Sequence, residues 1–298
     1  MKTQLVLISD MEGASGIFEN DVNLLLNGDP LWRTKGRQRM TSDVLAVCHA
    51  AKEFGSDEIM YYDAHCAGSP EYNVLLERLP ANVKLFDTPN RRFDWRRIRG
   101  QAQSEPFGLI TVGQHARNGT EHAYFPHTIQ SPPIKSLWLN GMHIAEMGMA
   151  VLNFQGVRFL ANIGCEASRQ EAMELSPSVK QISVKDKTKG WEPGSEETYP
   201  IIKTGVLAAL KDGQRSKGVV AAKPYNFRLE LCKYFYFEQP PSIPWRGSFG
   251  RREATWQAPN VEIGFEIFNY VRSNIRIAEQ DRQRLKNERR SGEYDATE

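Results

Sequence analysis

Two carboxylates, Asp10 and Glu12, follow directly on a short apolar run near the start of the chain. The run, residues 5–8, has the composition of a buried β-strand. Alternate residues of an extended segment project to the same side, so both carboxylates face one way. No lysine or arginine adjoins them, and two such acids repel each other unless a cation lies between them. The pair predicts a metal site or, alternatively, a turn with a helix N-cap aspartate.

Two further residues of ligand type occupy comparable places, and a third lies on a helix. His65 follows an apolar run at 59–62, and His115 follows another at 109–112. In an open α/β sheet the carboxyl ends of parallel strands share one crevice, where ligands bind. Glu146 lies within an apolar helical stretch and there needs a partner or a metal. Its alternative is an exposed position on an amphipathic helix.

Together these residues supply three carboxylates and two imidazoles. Oxygen and nitrogen ligands of this kind suit zinc or manganese and differ from the sulfur ligands of a thiolate site. Five ligands are more than one tetrahedral zinc ion needs, and they are enough for two ions that share one carboxylate. Cys66 adjoins His65 and could suggest a thiol nucleophile, but His65 is better used as a ligand. Asp63, two residues before His65, is either a group that orients the imidazole or a strand-end turn residue.

The elements that must position these residues alternate along the first two-thirds of the chain. Strands are predicted at 5–8, 59–62, 83–86, 109–112, 157–163 and 181–185, and helices at 36–54, 144–154 and 166–175. Strand and helix in alternation predict an α/β fold with a mostly parallel sheet covered by helices on both faces.

The pattern changes after residue 185. A helix is predicted from Ser195, a strand at 227–231, then a Pro- and Trp-rich loop, and a charged helical segment from Ile275 that ends in a polar tail. We therefore predict two domains, an α/β domain at 1–188 that carries the metal site and the chemistry, and a smaller α+β part at 189–298.

Composition narrows the function classes. The 298 residues are 40% hydrophobic and 25% charged, with a net charge of +2, so we expect a globular protein without a nucleic-acid partner. No stretch is long and apolar enough for a membrane span, and no signal peptide is apparent, so we expect no membrane partner. The four cysteines form no C-x-x-C pair, which predicts a reduced, cytoplasmic protein.

Five short motifs resemble the zinc-dependent D-aminopeptidases of the bacterial dipeptide-transport operon type, from about residue 4 to 185 and more weakly beyond. They are S-D-M-E-G at 9–13, D-A-H at 63–65, G-Q-H-A at 113–116, H-T at 127–128, and N-G at 140–141 with the downstream Glu146. One departure is G-C-E at 164–166, where the family usually has Gly-Asp. The Pro/Trp-rich loop and the polar tail have no family counterpart that we can place.

The resemblance implies a role for each candidate. Asp10 corresponds to a ligand that bridges two zinc ions, and the remaining ligands correspond to Glu12, His65, His115 and Glu146. His127 corresponds to the catalytic histidine, chosen over His122 because Thr128 follows it. It would act as a nucleophile or as a general acid/base. The expected function is therefore a metallo-aminopeptidase that removes N-terminal, D-configured residues from short peptides or small amides.

Two alternatives stay open at this point. The chain could be a non-catalytic member of the fold that serves as a binding or assembly partner, or an amidohydrolase acting on a non-peptide amide. The resemblance also implies a homo-oligomeric ring. Trp and Pro residues that are hard to bury in the α/β core favour an interface, or alternatively a lid over the pocket of the same monomer; they are Trp191, Pro240, Pro241, Trp245 and Trp256.

Overall fold

A computed structural model describes residues 3–91, 93–102, 105–129, 131–213, 217–238, 246–291, 295 and 297. The chain forms two compact units. The first comprises Met1–Ala116, Thr120–Phe125 and Ala150–Val220, and the second comprises Arg117–Gly119, Pro126–Met149 and Ala221–Glu298. The division into domains at residue 188 stays a prediction. Within the described part of the chain, no helix is long and apolar enough to cross a membrane.

The first unit is built on a six-stranded sheet in which every pairing is parallel. Its strands are β1 (Gln4–Ser9), β2 (Glu58–Asp63), β3 (Val83–Leu85), β4 (Gly108–Gln114), β7 (Phe159–Cys165) and β8 (Lys180–Lys185), in the spatial order β3-β2-β1-β4-β7-β8. All residues of β1, β4 and β7 are buried, so both faces of the central strands are covered. The predicted parallel α/β sheet is confirmed.

Most helices of this unit agree with the sequence pattern, but the second of them was not predicted. They are α1 (Arg37–Phe54), α2 (Trp95–Gln101), α4 (Arg169–Leu175) and α5 (Ser195–Asp212), while α3 (Glu146–Asn153) carries the chain back from the second unit. A π-helical turn at Trp32–Gly36 precedes α1, and Gly55 ends it with φ +96°, as expected for a C-terminal glycine. Short 3₁₀ turns occur at Val22–Leu24, Leu76–Arg78, Pro89–Arg91, Glu166–Ser168 and Lys187–Lys189.

The second unit contains an antiparallel sheet with the order β11-β12-β9-β5-β6. These strands are β5 (Ile134–Leu139), β6 (Met142–Ile144), β9 (Tyr225–Leu231), β11 (Gly247–Phe249) and β12 (Glu253–Ala258). The N-G motif forms the tight turn between β5 and β6, with positive φ at both Asn140 and Gly141. Helix α6 (Val261–Arg272) packs Phe265 against Phe227 of β9 at 5.8 Å between ring centroids.

The C-terminal prediction needs a correction. Ile275 begins not a helix but the short strand β13 (Ile275–Ile277), which pairs antiparallel with β10 (Phe235–Phe237). The charged helix, α7, starts later and runs over Glu279–Ser291. The isoleucines at 275 and 277 alternate with Arg276, a period of two that suits a strand.

Candidate metal centre

Four of the predicted ligands lie at the ends of three adjacent parallel strands. Asp10 and Glu12 follow β1, His65 follows β2 by two residues, and His115 directly follows β4. Because β2, β1 and β4 are neighbours with the same direction, their carboxyl ends meet at one edge of the sheet. All four side chains are buried, with 2% to 8% of each residue exposed.

Asp10 lies between the two imidazoles. Its Oδ1 is 3.4 Å from Nδ1 of His65, and its Oδ2 is 3.6 Å from Nε2 of His115. Glu12 joins the cluster from the same loop, with Oε2 3.1 Å from Nδ1 of His65. Ligand atoms of Asp10, Glu12 and His115 all lie within 4.8 Å of one another. Each carboxylate oxygen of Asp10 therefore faces a different histidine.

Backbone carbonyls fix the tautomer of both rings. Nε2 of His65 lies 2.9 Å from the carbonyl oxygen of Leu25, and Nδ1 of His115 lies 2.8 Å from that of Ala116. A carbonyl only accepts, so these nitrogens carry the protons when the rings are neutral. The nitrogens that face Asp10 are then the ones with free lone pairs. This is the arrangement by which proteins orient histidines that bind metal.

The spacing of the donor atoms also suits an ion. Two ligands of a tetrahedral zinc, each bound at about 2.1 Å, are separated by roughly 3.4 Å. The separations of Asp10 oxygens from the imidazole nitrogens, 3.4 and 3.6 Å, are close to this value. Oxygen and imidazole nitrogen are donors that zinc accepts. The residues present therefore fit a zinc site.

The electrostatics of the cluster also favour a bound cation. Burial, and next the carboxylate of Glu12, raise the pKa of Asp10 to about 7. Burial alone would lower the pKa of His65, but the neighbouring Glu12 and Asp10 carboxylates outweigh it and raise that pKa well above its usual range. Without a cation, the cluster therefore holds protons near neutral pH to offset its negative charge.

Close backbone contacts bring the β1 loop against the end of β4. The amide of Asp10 donates to Val112 O at 2.8 Å, and the amide of Gly13 donates to Gly113 O at 2.8 Å. A Cβ atom on Gly13 would lie 1.8 Å from the carbonyl oxygen of Gln114. Only glycine allows this approach, which places Asp10 beside the histidine of the neighbouring strand.

Asp63 supports the site through the backbone. Its carboxylate accepts hydrogen bonds from the amide and Nδ2 of Asn73, at 2.6 and 2.9 Å. Nδ2 of Asn73 also donates to the carbonyl oxygen of His65 at 2.8 Å. Asp63 thus acts on the His65 segment by way of Asn73, a residue that the sequence analysis did not identify. No sequence motif includes Asn73, which lies in a polar loop ten residues after Asp63.

Glu146 and His127 lie together in the second unit. Nε2 of His127 is 3.5 Å from Oε1 of Glu146, the first residue of α3, and both side chains are largely buried. A carboxylate in the first turn of a helix is favoured by the helix dipole. His122, the alternative candidate, belongs to the first unit and is exposed. Of the two candidates, His127 is the more buried and lies beside a carboxylate.

The three residues of the G-C-E segment have different surroundings in the structure. A Cβ atom on Gly164 would lie 2.1 Å from the carbonyl oxygen of Gln114, so β7 needs glycine where it passes β4. Cys165 is buried in a small cluster with Ala116 and Tyr124. Glu166 accepts hydrogen bonds from Arg169, at 2.5 Å from its Nε, and from Ser183. Cys66, in contrast, is exposed, with Sγ 3.4 Å from Nε2 of His65.

Comparisons with known proteins agree with this geometry. Residues 4–270 match the family model described as D-aminopeptidase. Among solved structures, the fold is similar to that of the Zn-dependent D-aminopeptidase DppA from Bacillus subtilis, described as a self-compartmentalizing protease. The TM-score is 0.78 and the identity 19%, over 91% of this chain and 97% of that chain. No curated protein matches the sequence.

Proposed function

This chain belongs to the D-aminopeptidase family, and from that premise we propose that it is a zinc enzyme that removes N-terminal D-residues from short peptides. Family membership supports a metal-dependent aminopeptidase over the alternatives that the sequence left open. The observation that carries the finer proposal is the placement of Asp10 between two imidazoles whose other nitrogens are held by backbone carbonyls.

The proposed ligands of two zinc ions are Asp10, Glu12, His65, His115 and Glu146, with Asp10 as the bridge. Support for the bridge comes from its two oxygens, each of which faces a different histidine. Support for Glu146 comes from the family resemblance and from its burial at a helix start. When bound, the ions supply Lewis acidity toward the scissile carbonyl and lower the pKa of water. Manganese, which shares these donors, is the alternative metal.

His127 is the proposed catalytic residue. Hydrolysis of an amide requires a proton for the leaving amine, and an imidazole is the side chain best suited to transfer protons at neutral pH. The carboxylate of Glu146, 3.5 Å from Nε2 of His127, orients the ring and stabilises its protonated form. We therefore assign His127 general acid/base work rather than nucleophilic attack.

We also propose a homo-oligomer, with a ring as its arrangement and short peptides as its substrates. The support is the solved relative, which is described as self-compartmentalizing. The tryptophan residues support an oligomer less than expected. Trp256 is 2% exposed and stacks on Phe227 inside the second unit, so it is unavailable for an interface. Pro240, Pro241 and Trp245 lie outside the described residues. A cytoplasmic location stays a prediction from the sequence.

Metal analysis combined with a substrate panel tests the proposal. The purified chain is expected to contain about two zinc ions, and to hydrolyse D-aminoacyl amides and D-dipeptides faster than their L-counterparts. Peptides longer than a few residues should be poor substrates if the enzyme forms an enclosed ring. Turnover of non-peptide amides in preference to every peptide would favour the amidohydrolase alternative. Full activity in protein that has been stripped of metal would overturn the zinc proposal.

A further inference from the structure

Lys185, the last residue of β8, is fully buried beneath the loop that carries two of the proposed ligands. Its Nζ donates hydrogen bonds to the carbonyl oxygens of Glu12 at 2.7 Å and Ala14 at 3.0 Å, and also to that of Ile17. An ammonium group has three protons, and these three carbonyls accept all of them. Every acceptor belongs to the segment 12–17, which begins two residues after Asp10.

Burial of a charged group costs desolvation free energy and so opposes the stability of the fold. Burial lowers the pKa of Lys185 to about 8, which reflects the unfavourable desolvation of the ammonium group. Complete buried ion pairs are often replaced by apolar residues of similar volume without loss of stability, so a buried charge is weak evidence for a role in stability. The face of the Tyr124 ring, 4.9 Å from Nζ, offsets part of the cost. The role of the Lys185 charge is therefore inferred from the function of the backbone segment that it binds.

The remainder of the loop is anchored by other elements. Asp43 of α1 accepts from the amide of Ser15 at 2.8 Å, and Thr198 of α5 donates to the Ser15 hydroxyl at 2.7 Å. Arg39 donates to the carbonyl oxygen of Gly16. These contacts hold residues 15 and 16. Lys185 differs from them because it also holds the peptide group of Glu12 itself.

We propose that Lys185 is a positioning residue for the metal centre, whose ammonium group fixes the backbone of residues 12–17 so that Asp10 and Glu12 stay in ligating positions. The inference rests on the proposed function. Gly13 and Gly16 give this short loop wide conformational freedom. Without the ammonium group, ordering the loop would cost free energy each time a metal binds. Outer partners that orient ligands are typically worth about 10–100-fold in metal affinity.

The test is Lys185→Met in the full chain, which removes the charge and keeps most of the volume. Chelator competition should show zinc affinity reduced by about 10–100-fold. The absorption spectrum of the cobalt(II)-substituted protein should change, because it reports ligand geometry. At saturating metal, kcat should fall, whereas KM should change little. The metal-free protein should stay folded, with a melting temperature that is lowered because three carbonyl oxygens lose their donor.

Two further variants sharpen the outcome. Lys187→Met removes an exposed lysine that pairs with Glu19 at 2.8 Å, and it should leave zinc affinity and the cobalt spectrum as in the wild type. Lys185→Arg keeps the charge and should bind zinc more tightly than Lys185→Met. The inference is overturned if Lys185→Met binds zinc as tightly as the wild type, or if it loses the metal-free fold. Failure of the wild type itself to bind zinc would instead overturn the proposed function.

Discussion

Nδ1 of His65 lies 3.1 Å from Oε2 of Glu12, in a largely buried cluster that contains a second carboxylate, Asp10. Three ionisable groups at such distances titrate together. With the pKa of Asp10 raised to about 7 by burial and by Glu12, and that of His65 raised by the carboxylates against its own burial, the metal-free cluster is protonated near neutral pH. A divalent cation must therefore displace protons in order to bind.

The first prediction concerns pH. Below pH 7 the folded, metal-free protein holds protons on Asp10 and His65 that zinc has to displace, so zinc affinity should fall as pH falls. The decrease should approach about tenfold per pH unit for each proton released. Calorimetric titrations in buffers of different ionisation enthalpy measure the number of protons. Zinc affinity that is constant between pH 5.5 and 7.5 would contradict the prediction.

Stability of the metal-free protein should follow the same titration. Asp10 has a higher pKa in the folded state than its ordinary value of 3.8, so the folded protein binds more protons than the unfolded chain between about pH 4 and pH 7. Its contribution to the free energy of unfolding therefore decreases as pH rises through this window. Added zinc should reverse that loss, because it binds the folded, deprotonated site.

Asp10→Ala should abolish zinc binding and hydrolysis while the fold persists. The reason is that one carboxylate contacts both imidazoles, so both proposed ions lose a ligand at once. Metal content, turnover and circular dichroism measure the three properties. Asp87→Ala, which removes an exposed acid paired with Arg97, is the matched control and should leave all three as in the wild type. Normal zinc content in Asp10→Ala would disprove the bridging role.

His127→Ala should retain zinc and lower kcat by roughly 100-fold or more, the usual worth of a positioned acid/base group. The physical basis is the placement of His127 beside Glu146, within the second unit. His122→Ala is the control, because His122 is exposed. If the control loses turnover and His127→Ala does not, the two histidines have been assigned the wrong way round.

Gly13→Ala should weaken zinc binding as well as stability. The added Cβ would lie 1.8 Å from the carbonyl oxygen of Gln114, so either the loop or the end of β4 has to move, at a cost of about 1–3 kcal/mol or more. Gly55→Ala places alanine at positive φ but meets open space, so it should cost about 1–2 kcal/mol and leave zinc affinity unchanged. Thermal unfolding and chelator competition compare the two variants, and equal zinc affinities would argue against the role of Gly13.

Much of the first unit could be predicted from the sequence, because apolar runs such as residues 5–8 mark the strands of a parallel sheet that is buried on both faces. The positions of Asp10, His65 and His115 followed from that pattern, since the ends of adjacent parallel strands meet. These residues come together only if their strands are neighbours in the sheet, and no local sequence signal encodes the order of the strands. The pairing of β1 with both β2 and β4 is visible only in the folded chain.

The groups that orient the ligands could not be predicted. Leu25 and Ala116 act on the histidines through backbone carbonyls, and a carbonyl is present at every residue. Lys185 ends an ordinary strand, and a lysine there is expected to reach solvent. Its burial depends on carbonyls about 170 residues away in the sequence. Trp256 was similarly misjudged, because the second unit has its own sheet and helix to bury it.

Trp256→Ala separates a core tryptophan from one at an interface. Its ring is parallel to Phe227 at 5.3 Å, and its Nε1 donates to the carbonyl oxygen of Gly264 at 3.2 Å. Truncation should therefore cost about 3–5 kcal/mol of stability and lower the melting temperature. Light scattering on the folded fraction should show the same oligomeric state as the wild type. Trp191→Ala, at a half-buried position, should cost less. Dissociation of the oligomer with an unchanged melting temperature would place Trp256 at an interface after all.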